Sequence, residues 1–77
     1  MKIHLQLYSI LREKLPADAK GRAVLQLDDG TTLSDLLKDL GIERRAVISV
    51  NDVQESDKSY PLQDGDEVKI FSSVSGG

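Results

Sequence analysis

One amphipathic helix among short alternating segments is the feature that most constrains this fold. From Leu33 onward, leucines recur at the i, i+3, i+4 and i+7 positions, which places them in one stripe along a helix. The stripe consists of Leu33, Leu36, Leu37 and Leu40. Thr31 or Thr32 can cap its start with support from Asp35, and Gly41 stands where helices commonly end in a positive φ. The pattern predicts one helix that must bury a single apolar face.

Strands are predicted wherever apolar and polar residues alternate. The pattern gives strands at 2–8, 22–28, 46–50 and 67–71, with a weak edge segment from Val53. The only large apolar surface that can cover the helix is one face of the sheet these strands form. We therefore expect an α+β roll, in which a mixed sheet of about five strands packs on one main helix and the first and last strands are central.

The connections between these elements carry turn residues. A short helix is predicted for 9–15, with Ser9 as a possible N-cap, and Pro16 ends it before a loop at 17–21. The acidic runs 28–30 and 64–67 both contain glycine. Because Asp is favoured in turns and neither run has the spacing of a calcium loop, we interpret both runs as turns.

Composition and charge exclude several classes of function. Cysteine is absent, so the chain has no disulfide, no thiolate metal site and no thiol nucleophile. Residues 1–22 carry five basic and two acidic side chains, whereas residues 23–77 carry five basic and eleven acidic ones, and the whole chain has a net charge of −3. An acidic majority argues against a nucleic-acid partner. With no apolar run that spans a membrane and no signal peptide, we expect a cytoplasmic location.

The end of the chain is the strongest functional signal. The chain ends in Gly76-Gly77, and no charged side chain follows Lys69. Glycine has no Cβ and can pass through a narrow channel, and six extended residues reach about 20 Å. We expect a domain at 1–71 and a flexible reactive tail at 72–77, with the Gly77 carboxylate as the functional group. No phosphate-binding glycine motif is present, so ATP used to activate this carboxylate must be bound by a partner.

Other candidate residues carry weaker signals. His4 is the only histidine, and with no second His or Cys beside it a surface role is favoured over metal binding. No serine lies in a nucleophile elbow, which argues against a hydrolase. Tyr8 and Phe71 fall outside the helix-packed face, on the two strands predicted to be adjacent. Since aromatic side chains anchor interfaces, they are candidate partner-binding residues, although isolated exposed aromatics are common.

These residues together resemble a known family. The run 60–68 (YPLQDGDEV), then Ile70-Phe71, then Val74-Ser75-Gly76-Gly77 are similar to the C-terminal signature of the MoaD/ThiS sulfur carriers, which are ubiquitin-like β-grasp proteins. The run 7–13 (LYSILRE) resembles the molybdopterin synthase small subunit more than the thiazole-pathway carriers.

The resemblance implies a mechanism and partners. An E1-like adenylyltransferase would adenylate Gly77, and sulfur from a donor such as a cysteine desulfurase would convert it to a thiocarboxylate. The loaded tail would enter the large subunit of molybdopterin synthase and donate sulfur for the dithiolene of molybdopterin. In this scheme Gly76 lets the tail thread, and Tyr8, Phe71, Val74 and Ser75 contact the partner. The chain would bind no metal or cofactor and would be catalytic only within a complex.

Three alternatives remain open at this stage. The nearest alternative is a carrier for thiazole synthase or another sulfur pathway. A ubiquitin-like modifier joined to protein lysines would use the same activated terminus. From a different class, it could be a β-grasp interaction module whose tail has no chemical role.

Overall fold

The computed structural model describes residues 1–42, 46–55 and 57–72 and confirms the predicted α+β architecture. The mixed five-stranded sheet with one α-helix is the β-grasp, ubiquitin-like fold. In chain order the elements are strand β1 (Lys2–Leu7), 3₁₀ helices at Ser9–Lys14 and Ala17–Ala19, β2 (Arg22–Gln26), helix α1 (Leu33–Leu40), β3 (Ala46–Val50), β4 (Val53–Gln54) and β5 (Glu67–Ser72).

The sheet has the strand order β2-β1-β5-β3-β4, so the first and last strands are indeed central. β1 and β5 are parallel, with Leu5 opposite Val68 and Leu7 opposite Ile70. The other three pairings are antiparallel. The core is formed by side chains of β1, β3 and β5 that point toward α1, by two leucines of α1, and by three residues of the connections. Its members are Ile3, Leu5, Leu7, Leu11, Leu33, Leu36, Ile42, Ile48, Val50, Leu62, Val68 and Ile70.

Helix α1 forms where the leucine stripe predicts it. Thr32 is the N-cap: its hydroxyl accepts a hydrogen bond from the Asp35 amide at 3.2 Å, and the Asp35 carboxylate accepts one from the Thr32 amide at 3.1 Å. This reciprocal pair satisfies two amides that the first turn would otherwise leave free. Gly41 ends the helix with φ 72°. Leu33 and Leu36 are buried, while Leu37 and Leu40 lie half-buried at the margin of the core.

The connection between β1 and β2 differs from the prediction. The segment after β1 is a 3₁₀ helix rather than an α-helix, and its N-cap is Tyr8 rather than Ser9. The predicted loop at 17–21 contains a second short 3₁₀ helix, since the amide of Ala19 donates to the carbonyl of Pro16 at 3.0 Å. At the strand ends, β2 stops at Gln26, two residues early, and β5 continues to Ser72, one residue further than predicted.

The acidic run before β5 is a turn, as predicted, and one of its carboxylates is buried. Asp66 is only 6% exposed. Its carboxylate accepts hydrogen bonds from the Asn51 side-chain amide at 3.0 Å and the Gln63 backbone amide at 2.8 Å. The Asn51 side-chain oxygen in turn accepts from the amide of Glu67 at 3.0 Å. Because buried polar groups are costly unless paired, this network fixes the start of β5 against the β3–β4 turn.

Gly21, immediately before β2, lies where an added side chain would meet the backbone of Leu7. It has φ +79°, and a Cβ built on it would lie 2.6 Å from the carbonyl oxygen of Leu7. The same residue accepts a hydrogen bond from the Leu7 amide at 2.7 Å. Gly30 has a similar φ of +89° but has no atom within 4 Å of such a Cβ. Comparing substitutions at the two glycines therefore distinguishes the cost of a positive φ, which both share, from the cost of a steric clash, which only Gly21 has.

We expect Gly21→Ala to destabilise the protein more than Gly30→Ala. A left-handed conformation costs an L-residue about 1–2 kcal/mol, and both variants incur that cost. Only Gly21→Ala also forces backbone apart, which adds about 1–3 kcal/mol as overpacking does. Urea unfolding of both variants measures the difference, and equal losses would show that the Leu7 carbonyl moves away without cost.

Candidate functional site

The two candidate aromatic residues meet on the face of the sheet opposite α1. Tyr8 directly follows β1 and Phe71 lies near the end of β5, and their rings stack with centroids 4.2 Å apart and planes 6° from parallel. The amide of Tyr8 donates to the carbonyl of Ile70 at 3.1 Å, which continues the β1–β5 ladder by one residue. The ladder itself therefore holds the two rings side by side.

Val47 extends this surface onto β3. It lies directly opposite Phe71 in the antiparallel register, so the two side chains are neighbours on the same face. Phe71 is 38% exposed and Val47 is 39% exposed, although β5 and β3 are both interior strands of the sheet. We call Tyr8, Phe71 and Val47 the aromatic patch.

The sequence alone does not single out Val47. Val47 alternates with Ala46 and Ile48, which indicates that its side chain faces away from the core. What the alternation did not show is that β3 lies beside β5 in the register that puts Val47 against Phe71. That neighbour is set by the topology of the whole sheet.

The predicted reactive residues follow the patch in the chain. β5 ends at Ser72, one residue beyond Phe71, so the patch lies where the strand leads into residues 73–77. Val74, Ser75, Gly76 and Gly77 lie outside the described residues. The partner-binding role of Tyr8 and Phe71 and the roles of these four residues stay predictions.

Positive charge borders the patch on one side. Arg12, Lys20 and Arg22 line an open depression beside Tyr8. Two residues before Phe71 on β5, the ammonium of Lys69 donates a hydrogen bond to the carboxylate of Asp52 at 2.9 Å. The hydrogen bond and charge of Asp52 raise the pKa of Lys69. The pair is exposed, so its contribution to stability is small.

The described residues hold no cluster of side chains that could bind a metal ion. His4 is exposed on the outer face opposite Glu67 of β5. No group of three His, Asp or Glu side chains within 1–42, 46–55 and 57–72 is placed to bind a metal ion. In the same ranges, no helix has the length and apolar character needed to cross a membrane. What this face offers is an apolar surface bordered by charge, at the base of the chain's last residues.

Comparison with known families shows which family the chain belongs to. The model of the ThiS family matches residues 5–77. The chain belongs to the ThiS family. The resemblance noted from the residues of the C-terminal signature is thereby confirmed, and the match includes both terminal glycines. A search of curated proteins finds no significant match.

Solved structures confirm the fold at low sequence identity. SAMP1 from Haloferax volcanii superposes with a TM-score of 0.74 at 18% identity over 100% of both chains. A putative molybdopterin converting factor, subunit 1, from Pyrococcus furiosus gives a TM-score of 0.75 at 20% identity, covering 96% of this chain and 99% of that one. In a complex of subunits 1 and 2 of the molybdopterin-converting factor from Helicobacter pylori, the matching chain gives a TM-score of 0.66 at 20% identity over 100% of both chains.

We expect Tyr8 and Phe71 to be energetically coupled in the isolated domain. A stacked aromatic pair contributes about 0.5–1.5 kcal/mol beyond the area it buries. A double-mutant cycle of Tyr8→Ala and Phe71→Ala, measured by urea unfolding, should return a coupling of that size. The matched control is Val24→Ala with Val53→Ala, since these exposed valines lie on opposite edge strands. Equal coupling in the two cycles would contradict a specific stack.

Proposed function

We propose that the chain is a sulfur carrier whose reactive group is the carboxylate of Gly77. The observation that carries this proposal is the ThiS family match, which runs through Gly76 and Gly77. The aromatic patch at the end of β5 supports it, because an apolar surface at the base of the last residues suits a protein that docks before its end reacts. The chain acts with other proteins rather than alone.

The chemistry requires activation by a partner. The Gly77 carboxylate is ionised at neutral pH, with a reference pKa of about 3.5, and is a poor electrophile. In the proposed step its oxygen attacks the α-phosphorus of ATP on an E1-like adenylyltransferase and pyrophosphate leaves. A persulfide on a donor such as a cysteine desulfurase system then displaces AMP through its outer sulfur. A second thiol of the donor or activating enzyme cleaves the resulting acyl disulfide and forms a disulfide with the donor sulfur, so that one carboxylate oxygen of Gly77 is replaced by sulfur.

The residues of this chain would bind and position, while the partners carry out catalysis. Gly76 and Gly77 lack side chains, so the end can lie in a narrow active-site channel. Val74 and Ser75 would line the entry of that channel, and Tyr8 and Phe71 would dock the domain outside it. The basic depression beside Tyr8 would complement acidic groups at the rim of the partner.

Within this scheme we propose delivery of sulfur for the dithiolene of molybdopterin, as the small subunit of molybdopterin synthase. Two similar structures are described as subunit 1 of a molybdopterin-converting factor, and one of them is in complex with subunit 2. By analogy, the large subunit of the synthase would receive the loaded tail. Thiazole synthase is the corresponding receiver if the chain serves the thiazole pathway.

A second candidate is a ubiquitin-like modifier. It is favoured by the likeness to SAMP1, which is also described as small archaeal modifier protein 1. The same activated Gly77 would then be attacked by a lysine amine to form an isopeptide bond. Sulfur transfer and conjugation share the first step and differ in the nucleophile that follows.

Intact-mass measurement tests the proposal and separates the two candidates. After incubation with ATP, a cognate E1-like enzyme and a sulfur donor, we expect a mass increase equal to the exchange of one oxygen for sulfur. The modifier would instead give reductant-resistant conjugates to protein lysines. Absence of both products would contradict an activated terminus.

A deletion variant locates the reacting atom. Removal of Gly77 should abolish the mass increase, whereas Val53→Ala, which changes an exposed side chain on the far edge of the sheet, should leave it unchanged. Circular dichroism and urea unfolding serve as controls for the fold of both variants. Full sulfur loading without Gly77 would rule out its carboxylate as the acceptor.

A further inference from the structure

Strand β2 presents an unpaired edge in the described part of the chain. It pairs with β1 on one side and is the first strand of the sheet order. The ladder to β1 is bounded by hydrogen bonds from the Leu7 amide to Gly21 and from the Leu27 amide to Met1. Because bonded and non-bonded residues alternate in an antiparallel ladder, the amides and carbonyls of Arg22, Val24 and Gln26 point away from β1.

This edge is polarised in charge along its length. Lys20 and Arg22 lie at its start, and Asp28 and Asp29 lie just beyond its end, all of them exposed. An antiparallel pairing of two such strands brings the basic start of each against the acidic end of the other. A parallel pairing would instead place like charges together.

The edge is also apolar on both faces at its centre. Val24 faces away from α1 and is 58% exposed, an exposure exceeded only by Val53 among the large apolar side chains of the described residues. On the helix side, Ala23 and Leu25 are only half-buried. An edge that is unpaired and apolar on both faces is the kind that pairs with another strand.

We propose that β2 pairs in antiparallel fashion with β2 of a second copy of this chain, across a two-fold axis at Val24. In that register Val24 lies opposite Val24 of the other copy, and Ala23 lies opposite Leu25. Arg22 lies opposite Gln26 and diagonal to Asp28, a separation of about 7–8 Å that a long side chain spans. Every contact off the axis is made twice, as a self-complementary two-fold interface requires.

The self-association is weak and is compatible with the carrier function. An interface of one short strand per copy falls in the small class, below about 1,200 Å² in total, so the dimer forms only at high concentration. The pairing uses β2, whereas the aromatic patch lies on β1, β5 and β3. The dimer therefore presents two aromatic patches and two chain ends. Because Lys20 and Arg22 also line the basic depression beside Tyr8, sulfur loading is assigned to the monomer, which predominates at low concentration.

Single-cysteine cross-linking tests the register, because the chain has no native cysteine. At a hydrogen-bonded two-fold position the Cα atoms are about 5.5 Å apart, which a disulfide spans. We expect Val24→Cys to form a disulfide dimer under mild oxidation about tenfold or more faster than Val53→Cys, since pairing raises the effective thiol concentration. Val53 is the matched control, as it is 67% exposed on the opposite edge strand. Equal rates would overturn the proposal.

Charge exchange tests the antiparallel arrangement independently. Lys20→Glu and Asp28→Lys should each reduce self-association in sedimentation velocity. An equimolar mixture of the two variants should form heterodimers in preference to either homodimer, because only the mixed pair has opposite charges at both ends. Native mass spectrometry of the mixture distinguishes the species. A statistical distribution, or association of a single variant undiminished from that of the unaltered protein, would overturn the pairing and would leave the Gly77 chemistry unaffected.

Discussion

The parallel pairing of β1 with β5 is the interaction on which the rest of the structure depends. It joins the beginning of the chain to its end, and it buries Leu5 and Leu7 of β1 opposite Val68 and Ile70 of β5. Helix α1 packs on the surface that this pairing creates. Since the ladder extends to Tyr8, it also fixes the aromatic patch at the point where β5 leads into the last residues.

The sequence was sufficient for the elements that depend on periodicity. The leucine stripe, the strand alternation and Gly41 at the helix end predicted α1 and the sheet. They could do so because the spacing of apolar residues within each element shows which of its faces is buried. The 3₁₀ geometry after Tyr8 was not predicted, because the apolar pattern of so short a segment fits a 3₁₀ helix and an α-helix equally well. The two differ only in whether the backbone hydrogen bonds span three or four residues. Nor could the contact between Gly21 and Leu7 be predicted, or the burial of Asp66, because each depends on a distant strand.

In the candidate site, too, local periodicity predicts some features and the contacts between distant strands determine the others. Alternation predicted that Tyr8 and Phe71 face away from α1, and the predicted strand order made them neighbours. Their stacking and the addition of Val47 depend on the register of β5 with its two neighbours, which the sequence alone does not reveal. In the proposed function, the domain provides a docking surface and a side-chain-free end, and the catalytic side chains belong to its partners.

We propose that docking through the aromatic patch delivers Gly77 to an activating enzyme. Steady-state pyrophosphate release by a cognate E1-like enzyme, measured against carrier concentration, tests it most directly. Phe71→Ala should raise KM about tenfold or more, as loss of an interface anchor worth about 1.4–2 kcal/mol does, while Val53→Ala should leave KM unchanged. Both variants must show native circular dichroism. An unchanged KM for a folded Phe71→Ala variant would contradict the account.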